Sequence, residues 1–442
     1  MVNTAQLRRH YYGKLFTTTL ISVAVFFLCS SGAKAIELKE AQRIAQLYSD
    51  QAQIITATRQ VDEASAKQTT AFTRPQLDAY AGWYKIDSNY ENIWLPTAER
   101  DLSAGITATQ VIFAGGKIWN SRKLQTSLQQ LAILQQYSNQ RELRHQVALA
   151  FIDAQRQQQL HNIALDRLHQ RQQELDDAQA LFSVGSVPQL DVREAQLALQ
   201  QSENDLLTTD TDLFVAISTL NNLLGRKPAE KRLSPSGELE QQPHIAQLLS
   251  QLNEQLTSQQ QLDLLNSRLN YSISTQQQQL ASGDYWPTVA LSANGERQGD
   301  HRDDMDKTWT VGVQLDWKLY TGGKISAKHA QSVASAARAR ALLQQTYTSL
   351  LNACANLEQQ HQDLLSQIER QRQAVQLAQA NYSDARALYT EGTITMTHLG
   401  QYNLAYAENR WQLNQLLYAH NRLFHELKYL LADSAMHVST DS

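Results

Sequence analysis

The sequence predicts a mainly α-helical protein with a small β part: a long coiled-coil hairpin, written twice, and four short strands. Three observations predict it. First, the chain repeats at a constant offset of 207 residues. Gly105 matches Gly312, Gly115-Gly116-Lys117-Ile118 matches Gly322-Gly323-Lys324-Ile325, Asp177 matches Asp384, and Gly185 matches Gly392. Second, only 17 Gly and 7 Pro occur among 442 residues, and none within 117–184 or 324–391. Third, between Pro75 and Gly116, and again between Pro287 and Gly323, the apolar period switches from helical to two.

Residues 1–35 stand outside this scheme. Arg8, Arg9 and Lys14 precede an apolar run at 20–28, and Ala33-Lys34-Ala35 supplies small residues at a cleavage site. The segment reads as a signal peptide, its apolar run too short for a span of ~20 residues. Without its four basic residues the chain carries 35 basic and 43 acidic groups, a formal charge of −8. That balance offers no electrostatic footprint for nucleic acid. Cys354 is then the one remaining cysteine, so packing or oligomerisation, not an intrachain disulfide, must hold the exported chain.

The first repeat is expected over 36–224, with a helix at 37–73, two strands, a long helix at 117–184 and a return helix at 187–224. Sixty-eight helical residues reach ~100 Å at 1.5 Å each. Val192, Leu199, Leu206, Leu213 and Leu220 recur every seven residues, and Leu399, Tyr406, Leu413 and Leu427 keep that phase in the second copy. A seven-residue period implies left-handed coiled packing. A return helix covers only half of its long partner. The helices expected at 37–73 and 244–282 cover the other half. An equatorial linker at 225–243, with Pro228, Pro235 and Gly237, joins the first repeat to a second at 244–432, and 433–442 is a tail.

The four strands are amphipathic. Trp309, Val311, Val313, Leu315, Trp317 and Leu319 alternate with polar residues; Leu102, Ala104, Ile106 and Ala108 keep the same phase, with Gln110 the one exception. Leu77, Ala79, Ala81 and Trp83 form a third such run, and Val289, Leu291 and Ala293 a fourth. Each approaches the ~10 residues of a tilted transmembrane β-strand. Residues 87–100 and 297–307 read as solvent-facing loops, with Trp83, Trp94, Trp286 and Trp309 near strand ends as an aromatic girdle. Four strands cannot close in lipid without unpaired edges, so the barrel must be shared between copies of the chain.

The duplication, the block Gln110 to Lys117, its counterpart Leu319-Tyr320-Thr321-Gly322-Gly323-Lys324, and the turns Phe182-Ser183-Val184-Gly185 and Tyr389-Thr390-Glu391-Gly392 resemble the TolC-like outer-membrane efflux protein family over essentially all of the mature chain. The resemblance implies a homotrimer with a 12-stranded barrel in outer-membrane lipid and a helical tunnel through the periplasm. It also implies docking to a periplasmic adaptor and an inner-membrane pump, for efflux or type I secretion. The competing architecture, a periplasmic coiled-coil adaptor or scaffold, would have one hairpin and no set of four amphipathic strands.

Three sets of residues stand out. Gly115, Gly116, Gly322 and Gly323 occupy the strand-to-helix junctions, where the backbone must turn. A phosphate loop is excluded there, because Val111 and Lys318 stand where its first Gly belongs, and Ile118 and Ile325 where Ser or Thr belongs. Val184, Gly185, Ser186, Glu391, Gly392 and Thr393 form the two hairpin tips, which the resemblance makes adaptor contacts; Glu391 departs from the family's hydrophobic residue. Asp177 and Asp384 stand eight residues before each tip and in a trimer could form a carboxylate gate ring that favours cations. No catalytic triad, metal-ligand cluster or glycine fingerprint occurs, so neither enzymatic activity nor a cofactor is expected.

Overall fold

A computed structural model describes residues 35–85, 100–226, 234–301 and 304–431. Nearly all of the expected signal peptide, the tail, Trp94 and part of the linker lie outside them. In chain order the elements are β1 (Ala35–Ile36), α1 (Leu38–Tyr48), α2 (Asp50–Gln68), β2 (Gln76–Lys85), β3 (Arg100–Ala114), α3 (Lys117–Ser183), α4 (Gln189–Leu223), β4 (Ser234–Pro235), α5 (Ile245–Thr257), α6 (Leu262–Ser282), β5 (Thr288–His301), β6 (Asp304–Asp316), α7 (Lys324–Thr390) and α8 (Met396–Leu430). The long helices α3 and α7 have 67 residues each, and the return helices α4 and α8 have 35 each.

Each long helix packs on its return helix over one half and on a stacked pair of shorter helices over the other. One core joins β1, α1, α2, α3 and α4 through Ile36, Ala45, Ile55, Leu143, Val147, Phe151, Leu213 and Leu220. Its counterpart joins α5, α6, α7 and α8 through Leu249, Leu252, Leu264, Leu350, Leu357, Leu423 and Leu427. Helix α3 also packs on α8, so the two repeats are knitted along their length. Alanine-lined seams admit this close helix approach, and the apolar area removed from water drives it.

The shorter helices depart from expectation. The run 37–73 is interrupted at Ser49, whose extended backbone (φ −72°, ψ 148°) and Oγ accepting from Ala52 N at 3.1 Å cap a new helix. Run 244–282 is interrupted at 258–261. There Gln259 adopts φ 55°, and the fully buried Gln261 Oε1 accepts from the N–H groups of Asp263 and Leu264. In both places a polar side chain supplies the hydrogen bond that the helix would otherwise have made. The linker is tied in as well. β1 pairs parallel with β4, and Gln155 Nε2 on α3 donates to the carbonyls of Ser236 at 2.9 Å and Gly237 at 3.2 Å.

The four long strands form one antiparallel sheet in the order β2-β3-β5-β6, leaving β2 and β6 as edges. The expected loop at 297–307 is instead mostly strand. β5 runs to His301 and β6 starts at Asp304, with Arg297 opposite Lys307. Its charged residues hid the continuation of the two-residue period. At the other end β6 stops at Asp316, so Trp317 and Leu319 lie beyond the strand.

Candidate functional site: the sheet and the helical tips

Register sorts the sheet into two faces. Leu77, Ala108, Ala293 and Val311 stand opposite one another on one face, with Ala79, Ile106, Gly295 and Trp309 in the next row. This face is bare: Trp309 is 80% exposed and Val313 67%. The other face holds Asp78, Thr107, Asn294 and Thr310 in one row, with Thr107 Oγ1 and Asn294 Oδ1 at 3.0 Å. Gln110, the polar exception on the apolar face, is consumed at the sheet's helical end, where its Nε2 donates to Thr73 O at 3.0 Å and Val111 O at 2.7 Å.

The double glycines do the same work in both repeats. Gly115 and Gly116 have φ of 58° and 82°, and Gly322 and Gly323 have 59° and 84°. Two successive left-handed residues turn the chain into the helix, directly after β3 in the first repeat but after the irregular residues 317–321 in the second, a backbone that Cβ resists. Gly115 is also sterically closed: a Cβ there would lie 2.5 Å from Trp286 Cβ. Nearby, Asp284 receives the ammonium groups of both Lys117 and Lys328, clamping the two helix starts together.

At the far end the two tips lie side by side. Gly185 (φ 73°) and Gly392 (φ 75°) end α3 and α7 in matching closures, in which Ser186 N donates to Leu181 O and Thr393 N to Leu388 O, both at 2.9 Å. Val184, Gly185, Ser186, Glu391, Gly392 and Thr393 are all exposed. Behind them Leu175, Ala178, Ala195, Tyr382, Ala385, Tyr389, Met396 and Leu399 form one small core drawn from both hairpins.

Polar groups stitch that core. Asp191, buried in the first turn of α4, accepts from Met396 N at the start of α8 at 3.3 Å. It thereby caps a helix whose own N-cap side chain, Thr395, does not. One layer deeper, Arg171 donates to Glu174 at 2.6 Å, and Tyr382 Oη and Asn403 Nδ2 both donate to Glu174 Oε1 at 2.9 Å. Arg171 and Glu174 are 5% and 0% exposed. Burial, then the Glu174 carboxylate, push the Tyr382 phenol well above its ordinary range; burial and Asp191 do the same to Tyr389. Sequence reasoning missed this network, although Arg171 interrupts an otherwise apolar stripe of Ala164, Leu168, Leu175 and Ala178 at heptad spacing.

The structure does not treat the two repeat-equivalent aspartates alike. Asp177 Oδ2 accepts from Nε and Nη2 of Arg386 at 3.1 and 3.0 Å, whereas Asp384 is exposed. The position equivalent to Arg386 in the first repeat is Gln179, which cannot return the pairing. Among the described residues no group of three or more His, Cys, Asp or Glu is placed to hold a metal, and no helix is long and apolar enough to cross a membrane.

The chain is similar to known proteins over both repeats. It is 28% identical over 225 residues to the proteases secretion protein PrtF of Dickeya chrysanthemi, covering 48% of this chain and 46% of that protein. It is 23% identical over 378 residues to the outer membrane protein TolC of Vibrio cholerae, covering 80% of this chain and 83% of that one. Its fold matches the outer membrane protein VceC of Vibrio cholerae with a TM-score of 0.75 at 19% identity, over 89% of this chain and 95% of that one. The family model described as outer membrane efflux protein matches residues 56–226 and 253–432, one segment in each repeat, and the chain therefore belongs to that family.

Proposed function

We propose that three copies of the chain form a passive exit duct, open to the outside through a 12-stranded barrel and reaching inward through a helical tunnel. The chain is an outer-membrane channel protein with its helical part in the periplasm. The observation that carries the shared-barrel reading is the pair of free sheet edges, and the family resemblance sets the number of copies at three. β2 and β6 run antiparallel to their neighbours, so β6 of one copy pairs antiparallel with β2 of the next and closes the ring without an unpaired edge. Leu197, Leu207 and Phe214 on α4, and Leu342 and Leu377 on α7, are exposed in the single chain and suit burial between copies. The described linker residues 234–243, held to α3 by Gln155, then sit at mid-height on the tunnel wall.

The tips are the docking point for a periplasmic adaptor, which couples the duct to an energised inner-membrane pump. Their exposed glycines leave room for a partner: nothing lies within 4 Å of a Cβ placed at Gly185 or Gly392. The chain needs no catalytic residue, because the pump supplies the energy. PrtF is named for protease secretion and the family for efflux, so type I secretion and drug-type efflux are the two services this duct fits.

Gly185→Trp and Gly392→Trp test the docking. Both variants are expected to fold, trimerise and reach the outer membrane, yet to lose transport in cells. Normal transport by both would remove the docking role.

A further inference from the structure

The apolar face of the sheet is not wholly apolar. Toward the end remote from the helices it carries cations, with Arg297 in one row with Ala104 and Ala81, and Leu102 and Trp83 one row further out. Arg297 stands directly opposite Lys307 in the β5–β6 register, and both are exposed. Lys307 is one pleat beyond Trp309 on β6, and Lys85 one pleat beyond Trp83 on β2. All three share the face of Leu77, Ile106 and Val311, because side chains two residues apart on a strand point the same way.

Two like charges opposite one another in a sheet, with Cβ atoms ~5 Å apart, destabilise it unless something lies between them. The neighbouring acids do not serve. Glu296 precedes Arg297 and Asp306 precedes Lys307, and the pleat sends both carboxylates to the polar face. Neither Arg297 nor Lys307 makes an ion pair among the described residues. The alternation therefore separates charge by side, with anions toward the lumen and cations toward the surroundings.

We infer that Arg297 and Lys307 clamp the phosphate of a phosphorylated lipid headgroup in the outer leaflet. This rests on reading the apolar face as the lipid-facing wall of the barrel. Three features select a lipid over a free anion. The cations continue a surface that already faces acyl chains. Each of Lys85 and Lys307 is set beside a tryptophan of the kind that anchors proteins at headgroup depth. An arginine paired with a lysine offers a planar fork and a mobile ammonium to one tetrahedral phosphate. The clamp would fix the barrel's height in the membrane and neutralise the Arg297–Lys307 repulsion.

Native mass spectrometry of the detergent-released trimer tests the clamp, with lipid A, phosphatidic acid, phosphatidylcholine and inorganic phosphate as probes. The wild-type trimer is expected to retain lipid A and phosphatidic acid, about one per protomer, over phosphatidylcholine. The double variant Arg297→Gln/Lys307→Gln should weaken that retention about tenfold or more while leaving the trimer mass and thermal midpoint intact. Lys307→Gln alone should weaken it less, which keeps the test usable if the double variant assembles poorly. Equal retention of phosphatidylcholine, unchanged retention in the variants, or inorganic phosphate binding as tightly as the lipids would each overturn the inference. Failure of the barrel reading would show separately, as a soluble monomer on fractionation.

Discussion

The hydroxyl of Tyr382, on the second hairpin, donates to Glu174 Oε1, on the first, at 2.9 Å. Arg171, three residues earlier on the same helix, holds the other carboxylate oxygen at 2.6 Å, and the contact between hairpins buries that pair and completes its hydrogen bonds. Removing one member of a buried pair strands the other. Glu174→Ala should destabilise the folded chain by about 3–5 kcal/mol, whereas Tyr382→Phe, which leaves the pair intact, should cost about 1 kcal/mol. Thermal denaturation of the trimer and protease cleavage near the tips measure both; equal effects would refute the buried-pair account.

The Asp177–Arg386 link makes a prediction about ions. Three Asp384 carboxylates are expected to bear most of the tunnel's cation preference, because Asp177 is partly neutralised by its own Arg386. In single-channel recordings Asp384→Asn should weaken cation selectivity more than Asp177→Asn. Arg386→Ala should strengthen it. Unchanged selectivity in the Asp177→Asn/Asp384→Asn variant would remove the gate ring.

Acid should weaken the equatorial region. His420 and His425 are buried on α8, and burial pulls each from 6.5 down to about 4, helped by facing His361 in the first case and by Lys428 and His145 in the second. The unfolded chain thus takes up protons near pH 6.5, and the folded chain not until about pH 4. Between those values the unfolded state binds more protons, so stability is present above pH 6.5 and declines as pH falls, by about 1.4 kcal/mol per unit for each histidine. His420→Asn keeps an acceptor for the N–H of Gln242, which His420 Nδ1 receives at 3.5 Å. The variant should flatten the profile of thermal midpoint against pH; an unchanged slope would count against this assignment.

The two glycine pairs should differ in tolerance despite equal dihedrals. Gly322→Ala meets open space and carries only the left-handed backbone cost, about 1–2 kcal/mol. Gly115→Ala adds a collision with Trp286 and the carbonyl of Gly283, at 2.5 and 2.8 Å. Its yield of assembled trimer should fall well below that of Gly322→Ala, measured by heat-modifiable mobility in gels.

Some of this was legible in the residues and some was not, for physical reasons. Breaker-free runs announced α3 and α7 almost to the residue, because nothing but Gly or Pro readily stops a helix packed along its length. Ser49 and Gln261 stop helices too, but by side-chain bonds that depend on where the neighbouring chain lies. Charge hid the ends of β5 and β6, since Arg297 and Lys307 look like loop residues until register sets them on one face. The repeat made Asp177 and Asp384 look interchangeable. Their difference comes from Arg386, one of several departures from symmetry near the tips, whose effect exists only where the hairpins touch. Arg171 and Glu174 were overlooked because charged residues usually mark a wetted surface, and here the apolar stripe around them was the better guide.

The equal 67-residue lengths of α3 and α7 act as a shared ruler. Deleting one heptad from α3 alone would keep its packing phase yet lift one tip about 10 Å above the other. Asp191 would then lose Met396, and Glu174 would lose Tyr382 and Asn403. A channel of this kind can be lengthened or shortened only by editing both copies at once, so the duplication is itself a constraint on how far the duct can reach.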